Sequence, residues 1–245
     1  MGGTMPVTSA AIVLFIALLL LPLPSRAGQG DYVVLLHGIG RTNGSMEKME
    51  DALVRQGYAV INIDYASRQK PVEELVLDVR KAIEQAHVPV MKKLDFVGHS
   101  MGGLIIRAYI HKYKPKNLGR VVMLGTPNQG SEVADLLKDN FLYKAYYGPA
   151  GQELTTRRDS LKKVLGAVDY DLGVIAGDRS VDPVSSLLII PGDDDGKVSV
   201  TRTRIKGMKD HVVLHATHTF MPSNDEVIRQ TEYFLERGKF LHKTN

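Results

Sequence analysis

Hydrophobic and polar positions follow two alternating periods along the chain. Short apolar runs rich in β-branched residues, ending in Gly or another turn residue, predict buried strands at 31–38, 58–65, 93–98, 119–127, 172–177 and 211–216, with 186–192 as a further candidate. Between them, apolar residues recur every three to four positions and predict amphipathic helices at 45–57, 71–87, 102–113 and 224–238. Strands alternating with helices predict an α/β fold, an open, mostly parallel sheet with helices on both faces.

The predicted strands and helices stop alternating between residues 130 and 171. This segment holds a charged, helix-like stretch at 157–165, and its residues 141–147 include four aromatic side chains in seven positions. An aromatic-rich insertion is typical of a cap over an apolar pocket. We therefore expect 131–171 to form a short cap or lid, and an ordinary pair of packed helices is the alternative.

The N-terminal part of the chain has the pattern of a targeting segment. An apolar stretch at 10–21 is too short to span a bilayer as a helix, and the Ser-Arg-Ala triplet that follows it places small residues where a signal peptidase cleaves. We predict that 1–27 is a signal peptide for export to the periplasm or the medium, and that 28–245 is a single domain of typical α/β size. Residues 1–9 lack the usual Lys or Arg, and the alternative is an uncleaved membrane anchor.

Composition and charge narrow the classes of function. The chain has no Cys, which excludes disulfides, thiolate catalysis and Cys-based metal sites. Its net charge of +4 arises from basic residues scattered among acidic ones, so we expect no nucleic-acid partner. Association with an anionic membrane surface stays open. No metal site is expected at His211, His215 and His218, because they lack partner carboxylates at metal-site spacing.

The stretch GHSMG, residues 98–102, lies where a predicted strand gives way to a predicted helix. It has the G-x-S-x-G pattern of a nucleophile elbow, in which flanking Gly residues let the chain pack closely around an exposed Ser on a strained turn. The N-terminus of the following helix favours developing negative charge. A tight turn that happens to contain Ser is the alternative, but the strand-to-helix context favours Ser100 as a catalytic nucleophile.

A Ser nucleophile needs a base and an acid that orients the base, and after such an elbow they follow in the order Asp or Glu, then His. His218 lies just past the last predicted strand, where a loop residue can reach Ser100. We prefer it over His215, which lies within that strand. For the acid, Asp178 directly follows a predicted strand, whereas Asp195 begins an Asp-Gly turn before a β-branched residue. The residues alone leave these two open.

An oxyanion hole requires two backbone N–H groups that point at the developing negative charge. One is expected from Met101, which directly follows the nucleophile. The other is expected from the HGIG loop after the first predicted strand, where Ile39 is the candidate. His37, in the same loop, precedes Ser100 in the chain and is interpreted as a residue that organises the loop.

Four stretches resemble, in the same order, motifs of the α/β-hydrolase superfamily and, within it, of the small bacterial triacylglycerol lipases and esterases. They are HGIG, VGHSMGGL, VVMLGTPNQGS and DGKVSV…HTFM. The resemblance implies hydrolysis of a small-molecule or lipid carboxylic ester through an acyl-enzyme, without a cofactor. It implies Asp195 rather than Asp178 as the acid. It also supports the roles given above to His218, Ile39 and Met101.

Other functions share this chemistry. Thioesterases, acyltransferases and peptidases use the same triad, and the sequence does not separate them from ester hydrolases. A non-catalytic, membrane-tethered binding protein on a hydrolase scaffold is an alternative of another class. The complete set of Ser, His and Asp argues against it, since a binding module has no need of all three.

Overall fold

The computed structural model describes residues 30–156, 159–180, 190 and 192–242. The predicted leader at 1–27 lies outside these residues, and so does most of the candidate strand at 186–192. Within the described ranges, no helix combines the length and the apolar character needed to cross a membrane.

The centre of the structure is a sheet of parallel strands that correspond to the six principal predictions. They are β1 (Tyr32–Leu36), β2 (Ala59–Ile63), β3 (Leu94–His99), β4 (Leu118–Leu124), β5 (Leu172–Gly177) and β6 (Asp210–Leu214). Their spatial order is β2-β1-β3-β4-β5-β6, and every neighbouring pair runs parallel. The prediction of an open α/β sheet is confirmed.

Helices cover both faces of the sheet. They are α1 (Glu47–Arg55), α2 (Val72–Gln85), α3 (Met101–Tyr113), α4 (Glu132–Leu137), α5 (Phe141–Gln152), α6 (Asp159–Leu165), α7 (Val200–Thr203) and α8 (Asp225–Arg237). In β1, Val34 and Leu36 pack with α2 and α3 on one face. Val33 and Leu35 pack with α1 and α8 on the other. Burial on both faces explains why the strands are continuous apolar runs.

The segment without alternation contains three short helices, α4, α5 and α6, and no strand among its described residues. Ser131 caps α4 by accepting a hydrogen bond from the Ala134 N–H. Asn140 caps α5 in the same way, and α5 is kinked at Gly148, where φ is 60° and ψ is −157°. The two capping residues mark where α4 and α5 begin. The alternation of strands and helices along the sequence did not predict these helices.

The sheet topology brings the predicted site residues to one edge. Parallel strands end at the same edge of a sheet, and the loops that follow them form a crevice there. Ser100 follows β3, Ile39 follows β1 closely and His218 follows β6. Asp195 lies in the long connection between β5 and β6. The candidate site is therefore built at the carboxyl ends of four strands.

Candidate active site

Ser100 occupies a strained turn between β3 and α3. Its φ of 53° and ψ of −122° are rare for a residue other than Gly. The surrounding chain holds this conformation, because the Ser100 N–H donates to the Leu124 carbonyl at 2.8 Å. The Thr126 hydroxyl donates to the Ser100 carbonyl at 3.0 Å. These two hydrogen bonds thus hold Ser100 in the sharp strand-to-helix turn that a nucleophile elbow requires.

The two Gly residues of the elbow are required by close packing. A Cβ at Gly98 would lie 2.6 Å from the backbone nitrogen of Gly103. A Cβ at Gly102 would collide with the carbonyl oxygen of Leu36, which lies in the neighbouring strand β1. The spacing of Gly around Ser100 is therefore explained by strand and helix backbones that approach without room for a side chain.

Two hydrogen bonds connect Ser100, His218 and Asp195. The Nε2 atom of His218 lies 2.9 Å from the Ser100 Oγ. Its Nδ1 atom lies 2.7 Å from Asp195 Oδ2. All three residues are buried, with exposed fractions of 6% for Ser100, 5% for His218 and 1% for Asp195. The carboxylate can only accept, so Nδ1 carries the proton and Nε2 is left to accept the Ser100 O–H.

The Asp195 carboxylate is held in place by its own loop. Its Oδ1 atom accepts hydrogen bonds from the Lys197 N–H at 3.0 Å and from the Val198 N–H at 2.9 Å. The backbone carbonyl of Asp195 accepts from the His218 N–H at 2.9 Å, so the two loops are also joined through the main chain. The Asp195 carboxylate and the loop that carries His218 are thus held in place by main-chain hydrogen bonds.

The alternative acid and the other C-terminal histidines lie elsewhere. Asp178 Oδ1 is 3.0 Å from His215 Nδ1, and 74% of the His215 side chain is exposed. His211 Nε2 is 3.1 Å from the hydroxyl of Thr203, and burial lowers the pKa of His211 to about 4. Each histidine therefore has its own partner. Among the described residues, no group of three or more His, Asp or Glu is arranged to hold a metal ion.

The candidate oxyanion donors lie beside Ser100. Ile39 and Ser100 line the same cavity, and Met101 is the first residue of α3. In the described part of the chain, neither the Ile39 N–H nor the Met101 N–H has a hydrogen-bond acceptor. His37 holds the Ile39 loop, because its Nδ1–H donates to the Gly38 carbonyl at 2.8 Å. Both backbone donors are thus available to a ligand.

His99 is a residue of the site that sequence reasoning missed. It is buried, lines the cavity and donates from Nε2 to the backbone carbonyl of His218 at 2.9 Å. Burial and the nearby His218 lower the pKa of His99 well below its usual value, so the ring is neutral. His99 thus fixes the main chain of the candidate base. Its place inside the elbow motif, next to Ser100, was the available signal.

A cavity of about 140 Å³ opens beside Ser100. Its apolar lining residues include Val133, Ala134, Tyr143, Tyr147 and Leu154, all from the predicted cap segment. Arg41 and Lys197 also line the cavity. A ligand that has an apolar part and a polar or anionic part would match this lining.

A protein-family model matches the part of the chain that contains the first of these site residues. Residues 32–159, just over half of the chain, match the family model described as palmitoyl protein thioesterase. The chain belongs to the palmitoyl protein thioesterase family. The matched stretch includes Ile39, Ser100 and Met101, and it ends before Asp195 and His218.

Individual relatives of this thioesterase family member agree with that assignment. The lysosomal thioesterase PPT2 of Mus musculus is 27% identical over 242 residues, which cover 84% of this chain and 78% of that protein. A triacylglycerol lipase of Pseudarthrobacter phenanthrenivorans is 43% identical over 47 residues, which cover 19% of this chain and 14% of that protein. The protein is therefore an ester-hydrolysing enzyme of the thioesterase and lipase type.

Solved structures support the fold of the family member. The mature lipase BlEst2 of Bacillus licheniformis superposes with a TM-score of 0.72 at 17% identity, over 85% of this chain and 93% of that chain. Likeness at such low identity shows the α/β-hydrolase fold and nothing finer. The resemblance to lipases and esterases that the sequence motifs indicated is confirmed at the level of the superfamily.

Gly125 provides a test of how tightly Asp195 and His218 are placed. Its φ is +55°, and a Cβ there would lie 2.9 Å from Asp195 Oδ2 and 3.1 Å from His218 Nδ1. We expect Gly125→Ala to lower kcat by roughly 10²-fold, because displacing a reacting group by about 1 Å has this effect. The measurement is the steady-state hydrolysis of a p-nitrophenyl ester, with thermal unfolding recorded in parallel.

Gly192→Ala is the matched control for Gly125→Ala. Gly192 has a φ of +79°, so Ala is strained there too, but no atom of the described residues lies within 4 Å of the added Cβ. We expect this variant to lose some stability and to keep its kcat. A Gly125→Ala protein as active as the wild type would show that the Asp195–His218 contact does not limit the reaction.

Proposed function

We propose that the protein hydrolyses acyl thioesters and acyl esters through an acyl-enzyme formed at Ser100. The observation that carries this proposal is the chain of hydrogen bonds from the Ser100 Oγ through His218 to Asp195, at 2.9 Å and 2.7 Å. A hydroxyl, an imidazole and a carboxylate in this order can activate the hydroxyl for attack on a carbonyl carbon. The family assignment supports the same reaction class.

In the proposed mechanism, the Ser100 Oγ attacks the carbonyl carbon while His218 Nε2 takes the hydroxyl proton. The backbone N–H groups of Ile39 and Met101 stabilise the oxyanion of the tetrahedral intermediate. The protonated His218 then gives its proton to the leaving oxygen or sulfur, and the acyl group stays on Ser100. A water molecule, deprotonated by His218, releases the acid. Asp195 keeps the imidazole oriented and stabilises its positive charge throughout.

Thioesters are the first candidate class of substrate, because the similarity to thioesterases extends over most of the chain. The family model is that of a thioesterase, and the relative PPT2, which is named a lysosomal thioesterase, is similar over 84% of this chain. Oxygen esters are the second candidate. They are favoured by the triacylglycerol lipase, which is similar over a shorter stretch at higher identity. Acyl transfer and peptide hydrolysis have no comparable support.

Export of the protein stays a proposal. The sequence pattern at 1–27 is that of a signal peptide, and the PPT2 relatives are named lysosomal thioesterases. Proteins of that compartment enter it from the secretory route, which is compatible with an exported chain. The periplasm or the medium is therefore our proposed location, and an uncleaved anchor is the alternative.

The size of the cavity predicts a dependence of activity on acyl-chain length. Its volume of about 140 Å³ is close to that of an engineered apolar cavity that holds one benzene molecule, so we expect acyl chains of about six carbons to fill it. Up to that length, kcat/KM should rise about fourfold per CH₂, which corresponds to about 0.8 kcal/mol of burial. Beyond it, kcat/KM should level off unless the cap moves.

The measurement is a chain-length series of p-nitrophenyl esters paired with S-acyl thioesters of the same acids. Thiol release can be followed with a disulfide reagent, because the chain has no Cys that would react with it. Ala134, buried in the cavity wall, offers the control: Ala134→Leu should move the optimum to shorter chains. A wild-type rate independent of chain length would contradict the acyl-pocket assignment, and a preference for oxygen esters would select the second candidate.

A further inference from the structure

Four large apolar side chains protrude from the junction of α4 and α5, a surface that we name the α4–α5 corner. Their exposed fractions are 60% for Leu136, 77% for Phe141, 72% for Leu142 and 52% for Tyr146. Single exposed apolar residues are common on protein surfaces, but a contiguous group of them marks an interaction site. The mechanism proposed above uses none of Leu136, Phe141 and Leu142.

The α4–α5 corner adjoins the mouth of the cavity that contains Ser100. Tyr146 belongs to both, since it lines the cavity and is half exposed. On the same helix, Tyr143 and Tyr147 face the cavity, whereas Phe141 faces solvent. A partner that contacts the corner would therefore lie directly over the entrance to the site.

Basic side chains surround the apolar corner. Lys138 and Lys144 lie on it, and Arg68 places its guanidinium 5.0 Å from the centre of the Tyr146 ring. Arg41 lines both the catalytic cavity and an adjacent groove of about 560 Å³ that also contains Arg68 and Tyr146. Three acidic residues lie nearby: Asp139, 3.9 Å from Lys144, Asp64, in the groove, and Asp135 on α4, which accepts hydrogen bonds from Thr156. The four basic side chains thus outnumber these three acidic ones around the corner.

We propose that the α4–α5 corner docks on an anionic lipid surface. Apolar side chains would enter the boundary between headgroups and acyl chains, while the basic side chains contact the anionic headgroups. The cavity mouth would then face the lipid, and an acyl chain could reach Ser100 without crossing water. The last step rests on the proposed function, whereas the docking itself does not.

The shape of the corner favours a lipid surface over a protein partner. A stable protein interface buries roughly 800 Å² on each partner, and four partly exposed side chains fall short of that area. A lipid surface needs no complementary shape and accepts a small apolar tip rimmed by basic groups. A second copy of the chain would bring the basic rims of two corners together, which is electrostatically unfavourable.

Single-Trp reporters test the docking directly, because the chain contains no Trp. Phe141→Trp places the reporter on the corner. Val90→Trp is its matched control, since Val90 has the same exposed fraction of 77% and precedes β3, at the edge of the sheet opposite the site. Both reporters are measured in the full chain, with vesicles of phosphatidylglycerol or phosphatidylcholine that carry brominated acyl chains.

We expect phosphatidylglycerol vesicles to shift the Phe141→Trp emission to the blue and to quench it, and to leave Val90→Trp unchanged. The N-terminal residues are common to both proteins, so any binding they cause affects both alike. Absence of quenching in Phe141→Trp, or equal quenching of both reporters, would overturn the proposal. Equal quenching by phosphatidylcholine would overturn the part assigned to anionic headgroups.

A double variant connects docking to activity. Phe141→Ser with Leu142→Ser should lower the rate on an ester embedded in phosphatidylglycerol vesicles by at least about tenfold, because two large apolar side chains no longer enter the lipid. The rate on a water-soluble p-nitrophenyl ester should stay unchanged. Val90→Ser with Met91→Ser, which removes two exposed apolar side chains on the opposite edge, should change neither rate.

The possible failures of the two proposals are distinguishable. Loss of both rates in the corner variant would assign Phe141 and Leu142 to the structure of the site and would overturn the docking role. A dimer in solution that the corner variant abolishes would assign the surface to a second copy of the chain instead. If the wild type hydrolysed no ester, the proposed function would fail, but the Trp reporters would still decide whether the corner docks.

Discussion

Ser100→Ala is expected to lower kcat on the order of 10⁶-fold, the size of effect seen when a serine hydrolase loses its nucleophile. The Ser100 Oγ is the only protein atom that forms a covalent bond with the substrate's carbonyl carbon in the proposed mechanism, so no neighbour can take over its role. The residual rate should come from the oxyanion donors and from binding alone. Steady-state kinetics on the best ester of the chain-length series measures the loss.

A fluorophosphonate probe provides an independent readout of the same prediction. It should label the wild type once, at Ser100, and should not label Ser100→Ala. The absence of Cys removes competing thiols. Ser45→Ala is a matched control, because Ser45 does not line the cavity and, within the described part of the chain, its hydroxyl donates only to the Thr42 carbonyl. Activity or labelling that survives in folded Ser100→Ala protein would refute the acyl-enzyme mechanism.

The parts of the fold that were predictable are those with strong local signals. Strands buried on both faces read as continuous apolar runs, so β1 and β3 could be located within one or two residues. The elbow was also predictable, because its strained Ser100 and its closely packed Gly residues leave a fixed spacing in the sequence. Local backbone requirements of this kind are visible without knowledge of the tertiary structure.

The choice between Asp178 and Asp195 was different, because it depends on tertiary structure. Asp178 directly follows β5, yet its carboxylate pairs with His215 at the surface. Asp195 comes later in the same connection, where the chain folds back until the Asp195 carbonyl accepts the His218 N–H. The path of a long connection is set by contacts far apart in sequence, so the motif resemblance, and not the strand pattern, selected Asp195.

The sequence of the cap segment contains a signal for helical phase that the prediction of a cap did not use. From the sequence alone, all four aromatic residues of 141–147 are expected to belong to a cap over the pocket. In α5, Tyr143, Tyr146 and Tyr147 follow the spacing of one helix face and line the cavity, whereas Phe141 is exposed. Asn140, a favourable N-cap residue, would have indicated the start of α5 and therefore its helical phase. The contrast between the tyrosines that line the cavity and the exposed Phe141 also distinguishes the cavity wall from the α4–α5 corner.

Asp195→Asn is expected to lower kcat by roughly 10⁴-fold, although the shape of the side chain is kept. Asp195 Oδ1 accepts the N–H groups of Lys197 and Val198, so the amide oxygen of Asn would take that position. The amide NH₂ would then face His218 Nδ1 and force that atom to accept. The proton of His218 would move to Nε2, which could no longer accept the Ser100 O–H.

Asp178→Asn distinguishes this effect from the loss of any nearby negative charge. The Asp178 carboxylate contacts only an exposed imidazole, that of His215, among the partners observed for it, so its replacement should leave kcat close to that of the wild type. Both variants keep side-chain volume, and thermal unfolding can confirm that both are folded. A large loss in Asp178→Asn with an active Asp195→Asn would assign the acid to Asp178. Because His218 contacts Asp195 at 2.7 Å, we expect the opposite ranking, with nearly the whole effect at Asp195.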